Sequence, residues 1–107
     1  MIITTCESVP GYRTLEIAGL ARGSCIRAKH LGKDIGAGLK SLVGGELRGY
    51  SELLEESREE AIGRMIEQAE RLGADAIIGM RFVSSQVMSG AAEFLAYGTA
   101  VKLKKES

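Results

Sequence analysis

From Ser51 to Leu72, apolar side chains return every three or four residues, and this stretch limits the fold more than any other. Leu54, Ala61, Ile62, Met65, Ile66, Ala69 and Leu72 fall on one stripe. Glu55, Glu56, Glu59, Glu60, Arg64, Glu67, Glu70 and Arg71 take the other sides. The pattern predicts an amphipathic helix over 51–72. Ser51 is the expected N-cap, with Glu52 in the first turn, where the helix dipole favours a negative charge. Glu60–Arg64 and Glu67–Arg71 stand at the i,i+4 spacing of favourable ion pairs. Gly73 is the expected left-handed residue that ends the helix. One such helix covers a single face of a small sheet, so the other face needs a different cover.

The remaining periodicities are mostly those of strands. Ile2 to Thr5 is a short β-like start, closed by the turn signal Pro10-Gly11. In Tyr12 to Ile17, Leu15 and Ile17 share a face; Gly19 and Gly23 then predict a bend before the strand resumes at Ser24 to Ala28. Ala76 to Val83 is apolar on both faces apart from Arg81 and reads as a central strand. Ala92 to Leu103 sets Leu95, Tyr97, Thr99, Val101 and Leu103 on one face, and a turn near Ser89-Gly90 makes the two strands an antiparallel hairpin. Between the halves, Leu31, Ile35, Leu39 and Leu42 have helical spacing, but Gly32, Gly36 and Gly38 lie among them. This predicts a short glycine-rich helix that depends on tertiary support, ended by Gly44-Gly45. The expected fold class is α+β: a small antiparallel or mixed sheet with one long and one short Gly-rich helix, in the order strand, strand, helix, helix, strand, strand. The sheet face left bare, expected to carry Ile77 or Phe82, makes self-association the natural way to bury it.

At 107 residues the chain has the length of a single domain, taken as 1–107. A domain of this size buries roughly 65–70% of the surface its unfolded chain exposes, enough for one core without disulfides or a structural metal. Its 14 basic residues balance 14 acidic ones, which argues against a dedicated nucleic-acid partner. Aromatic residues are few and Trp is absent, so base-stacking platforms are poorly supplied. No run approaches the ~20 apolar residues of a membrane span. Met1 to Cys6 has no basic, then apolar, leader pattern. Cys6 and Cys25 form no CxxC pair and read as two free thiols, so the expected location is cytoplasmic.

The run Arg27-Ala28-Lys29-His30-Leu31-Gly32-Lys33-Asp34-Ile35 resembles the YbjQ-like family. Further matches are Val43-Gly44-Gly45-Glu46, Tyr50, Arg58-Glu59-Glu60-Ala61, Leu72-Gly73-Ala74-Asp75-Ala76, Gly90-Ala91-Ala92-Glu93 and Tyr97-Gly98-Thr99-Ala100-Val101. The resemblance spans nearly the whole chain, and none of its motifs is catalytic in character. It implies a dodecin-like β-α-β-β subunit assembled as a ring-shaped homopentamer. The family is largely uncharacterised and labelled as heavy-metal-binding; the label comes with no ligand set that transfers residue by residue.

Candidate soft ligands for a heavy or transition metal are Cys6, Cys25 and His30. A structural zinc site normally uses four Cys or His ligands in closely spaced pairs, so one subunit does not suffice, whereas a site shared across an oligomer axis would. Against this stands the commoner fate of such thiols, which is to be buried and inert. Arg27, Lys29, His30 and Lys33 cluster where a strand hands over to a helix, a place suited to a small anionic ligand; the plainer alternative is a solvated turn in which Asp34 neutralises one charge. The glycine-rich stretch fails as a phosphate loop, because Gly38 is followed by Leu39 and Lys40-Ser41 comes one place late. An enzyme would need His30 as base, Cys25 as nucleophile and Asp34 as orienter. The acidic pairs Glu55/Glu59 and Glu56/Glu60 read as a solvated face. The expected function is a homo-oligomeric binding or scaffold module for a heavy metal or small anion. The alternatives are an enzyme using the His30 region and a structural ring without ligand.

Overall fold

The computed structural model describes residues 1–28, 45–88 and 91–106. Its elements are β1 (Ile2–Ile3), β2 (Tyr12–Ala28), α1 (Gly45–Arg71), β3 (Ala76–Met88) and β4 (Ala91–Lys105). The four strands form one sheet in the order β1-β3-β4-β2. The sheet is mixed: β1 pairs parallel with β3, and β4 lies antiparallel between β3 and β2. The α+β class is therefore as expected, and β4 is the strand at its centre. Among the described residues no helix is long and apolar enough to cross a membrane.

Alternation along the strands sorts their side chains into two layers. Ala21, Gly23, Cys25 and Arg27 of β2 and Phe94, Ala96, Gly98 and Ala100 of β4 face α1. The helix answers with Ala61, Met65 and Ala69, all fully buried, flanked by Leu54, Ile62 and Ile66. This is the predicted stripe. Ser57 also lies on it, fully buried, and remains satisfied because its hydroxyl donates to the Leu53 carbonyl at 2.8 Å.

The small residues of this layer let α1 lie very close to the sheet. A Cβ at Gly23 would sit well inside contact distance of the Ala61 carbonyl oxygen and the Met65 nitrogen, both backbone atoms that cannot swing aside. Gly23 thus marks the place where helix backbone rests on strand backbone, not the expected bend; β2 runs through it without interruption. The register does shift between Thr14 and Glu16 and again between Ile17 and Gly19, so irregularity falls earlier in the strand. At the far end of α1, Gly73 takes φ +75°. Its N–H donates to the Glu70 carbonyl and the Ala74 N–H to the Ala69 carbonyl, the bonding pattern of a Schellman cap.

Three expectations need correction. The helix already includes Gly45, so Ser51 is not its N-cap. Glu46, Leu47 and Arg48 are good helix formers that carry the helix through the cap signal. Ile77 is fully buried in the core and Phe82 packs on it, with its ring 6.3 Å from that of Phe94; both face the helix instead of the bare side. The strand period fixes this, since each stands opposite an even-numbered β4 residue, Ala100 and Ala96. The short Gly-rich helix expected over 30–43 and the turn at Ser89-Gly90 lie outside the described residues.

The layer facing away from α1 carries Ile17, Leu20, Ile26 and Val83, which are 44–70% exposed. The molecule is long and thin, 57 × 23 × 16 Å, with a radius of gyration of 17.4 Å. A compact domain of this length would have about 13 Å.

Two substitutions test this packing in chemical denaturation. Gly73→Ala should cost about 1 kcal/mol through its positive φ. Gly23→Ala should cost more, about 3 kcal/mol or above, because the helix must lift off β2. Equal, small losses in the two variants would contradict the backbone contact.

Candidate functional site

The inward faces of β2 and α1 meet in one charged cluster. Cys25 and Arg27 are two residues apart on β2 and so share its helix-facing side, while Glu60 and Arg64 are one turn apart on α1. The Cys25 thiol donates to Glu60 Oε2 at 3.3 Å and accepts from Arg27 Nε at 3.3 Å. Arg27 Nη2 also donates to Glu60 Oε2. Arg64 donates to Glu60 Oε1 at 2.6 Å and, through its other nitrogen, to the Ser24 carbonyl at 2.6 Å. The Cys25 residue is 3% exposed, whereas the Glu60 side chain is 32% exposed. Hydrogen bonds from Arg27 and then Cys25 hold the Glu60 carboxyl below its ordinary range. Hydrogen bonds to Cys25 and Glu60 raise Arg27 further above its already high value.

The acidic face expected to be solvated is therefore breached at Glu60. The i,i+4 spacing gives Arg64 as a partner of Glu60, as expected, but it gives no sign of Cys25 and Arg27, which come from a strand more than thirty residues away. Arg71–Glu67, by contrast, is the exposed i,i+4 pair that the spacing predicts, at 3.7 Å.

A second feature is a cleft of about 440 Å³ between α1 and the free edge of β2. Gln68 Oε1 accepts from the Arg22 N–H at 2.7 Å, and Arg64 caps the Ser24 carbonyl, so two outward-facing backbone groups of this edge strand are satisfied by the helix. Arg22, Arg64 and Arg71 line the cleft against the single carboxylate of Glu67. That excess of guanidinium groups suits an oxyanion. Another cleft, of about 420 Å³, opens on the opposite sheet face over Ile17, Ile78 and Val101, with Arg81 and Glu7 among its lining residues.

Of the expected metal ligands Cys6, Cys25 and His30, the two cysteines do not come together, and His30 lies outside the described residues. Cys6 is exposed, not buried, and its carbonyl accepts from Gly79 N–H near the β1–β3 edge. Cys25 is buried on β2, in register with Phe94, and β2 is the sheet edge opposite β1. Among the described residues no three His, Cys, Asp or Glu side chains gather as a metal-binding group. Cys25 and Glu60 alone come together, and both are occupied by arginine. The described residues therefore do not fit a heavy-metal centre. Of the expected anion cluster, Arg27 is committed to Glu60 and Cys25, while Lys29, His30 and Lys33 lie outside the described residues.

The cluster gives a pH prediction. The folded-state pKa of Glu60 is depressed, so its ion pairs stabilise the protein at pH values above the ordinary carboxylate range, and that stabilisation is lost as the pH falls through the lowered value. Thermal melts of Glu60→Gln between neutral and acidic pH should show a weaker loss on acidification than the parent. Parallel curves would place the acid sensitivity in other groups.

With this geometry in hand, comparison with known proteins is informative. The model of a family described as "Putative heavy-metal-binding" matches residues 1–104. The chain is 63% identical over 105 residues to a UPF0145 protein of Thermotoga petrophila, covering 98% of this chain and 99% of that one. It is 60% identical over 103 residues to a UPF0145 protein of Methanosarcina acetivorans, covering 96% and 97%. For a UPF0145 protein of Thermus thermophilus the figures are 55% over 104 residues, covering 97% and 91%. A crystal structure of a protein of unknown function in the DUF74 family, from Pediococcus pentosaceus, superimposes with a TM-score of 0.67 over 97% of this chain and 98% of that one. At 19% identity that likeness shows the fold. The family match over nearly the full length, with relatives this similar in both bacteria and an archaeon, establishes that the chain belongs to the YbjQ family, to which the UPF0145 proteins are its close relatives.

Proposed function

We propose that this protein is a homo-oligomeric binding module whose copies meet on the sheet face that α1 leaves uncovered, and which receives a small anionic ligand in the arginine-lined cleft beside β2. One observation carries the reading: Ile17, Leu20, Ile26 and Val83 form an apolar face on an elongated sheet with a helix on one side only. A thin two-layer subunit of this kind leaves greasy surface that a second copy can bury. A ring of five dodecin-like subunits, in the cytoplasm, is the assembly that the family resemblance implied and that this surface accommodates. The free thiols of Cys6 and Cys25 suit a reducing compartment.

The ligand class follows from charge. Three arginines face one carboxylate in the α1–β2 cleft, whereas the thiol and carboxylate that a metal would want are already engaged. The family description favours a metal; the described side chains favour an anion.

Sedimentation velocity at micromolar concentration should give a particle several times 11.4 kDa. Ile17→Glu/Ile26→Glu should shift it towards the monomer, since a charge buried at the contact is unpaired. A compact monomer in the parent protein would remove the assembly. Separately, inorganic phosphate should raise the melting temperature of the parent but not of Arg22→Ala/Arg71→Ala, because a ligand selective for the folded state stabilises it. No shift in the parent would remove the anion while leaving the assembly intact.

A further inference from the structure

We infer that Arg27 is the resident cation of the Cys25–Glu60 pair: its guanidinium holds the place that a thiophilic metal ion would take, so the parent protein excludes such an ion there and loss of the Arg27 charge opens the site. The inference concerns this cluster alone and does not rest on the assembly or on the anion cleft.

The spacing of the two donors comes first. Cys25 Sγ and Glu60 Oε2 are 3.3 Å apart. Bond lengths of about 2.3 Å to sulfur and 2.1 Å to oxygen at a tetrahedral angle would set two ligands of one ion about 3.6 Å apart. The pair is thus placed within a few tenths of an ångström of what one ion needs. Yet the planar fork of Arg27 already spans both atoms, with Nε on the sulfur and Nη2 on the carboxylate. A guanidinium is always charged and rigid, which lets it act as a fixed bidentate cation in a way that a lysine would not.

The charge balance points the same way. Glu60 is shared by two guanidinium groups, since Arg64 takes its other oxygen and is itself anchored on the Ser24 carbonyl. A divalent ion entering here would face two positive groups against one carboxylate. It would also have to displace the thiol proton to solvent, because only the thiolate ligates well. With Arg27 in place, both donor atoms are already engaged, the thiol donating to Glu60 Oε2 and accepting from Arg27 Nε.

The test uses cadmium, read by its sulfur-to-metal charge-transfer absorbance, in a Cys6→Ser background so that the exposed thiol is silent and only Cys25 reports. With Arg27 intact, no saturable band should develop. Cys6→Ser/Arg27→Met should bind cadmium at one equivalent, at least about tenfold more tightly, the scale on which neighbouring groups tune metal sites. Adding Cys25→Ser should abolish that band. Arg27→Gln carries the same expectation should the Met variant not fold. The inference is overturned by a stoichiometric, Cys25-dependent band with Arg27 present, or by a folded Arg27 variant that shows no gain.

Discussion

The structure depends on one close contact: the backbone of α1 resting on the backbone of β2 at Gly23. Because no side chain intervenes there, the helix approaches far enough for Met65, Ala61 and Ala69 to meet Ala21, Cys25, Phe94 and Ala96 in a single dry layer. The same approach brings Glu60 and Arg64 down to the level of Cys25 and Arg27. The charged cluster is thus a product of packing as much as of electrostatics. A helix held off by even a methyl group would leave those side chains to solvate separately. The cluster in turn ties the last turn of β2 to the middle of α1, across the segment that joins them.

How legible was this in the sequence? The helix stripe, the Gly73 cap, the Glu60–Arg64 and Glu67–Arg71 pairs and the antiparallel pairing of the last two strands could all be read from local spacing. Each depends on residues within a few positions, or on a strict period. What could not be read is what depends on contact between distant segments. Gly23 looks like a strand breaker until α1 is seen lying on it. Glu60 looks solvated until the neighbour of Cys25 is known. Ile77 and Phe82 were set on the wrong side because a run that is apolar on both faces carries no sign of which face is inward. The start of α1 was misplaced because Ser51 is a good cap signal in sequence, and good helix formers before it outweigh that signal.

The two faces of the sheet divide the protein's tasks. One is sealed by small residues and a helix, and has no spare polar group among the described residues. The other alternates apolar and charged positions: Leu20, Arg22 and Ile26 on β2 lie opposite Thr99, Tyr97 and Glu93 on β4. Its exposed apolar side chains are thus interspersed with charged ones.

The position of β4 at the centre of the sheet has a consequence for how the protein is made. β2 and β3 both pair with β4, and β4 is the last of the described strands to be synthesised. Until it emerges, the seventeen residues of β2 have no described neighbour in the sheet, and β1 can find only its two-residue parallel partner on β3. Nearly all of the described sheet therefore forms only once β4 is available, through contacts between segments far apart in the chain. In the interval, α1 is the long element among the described residues that local contacts can form, and β2, still without β4, is exposed to stray pairing.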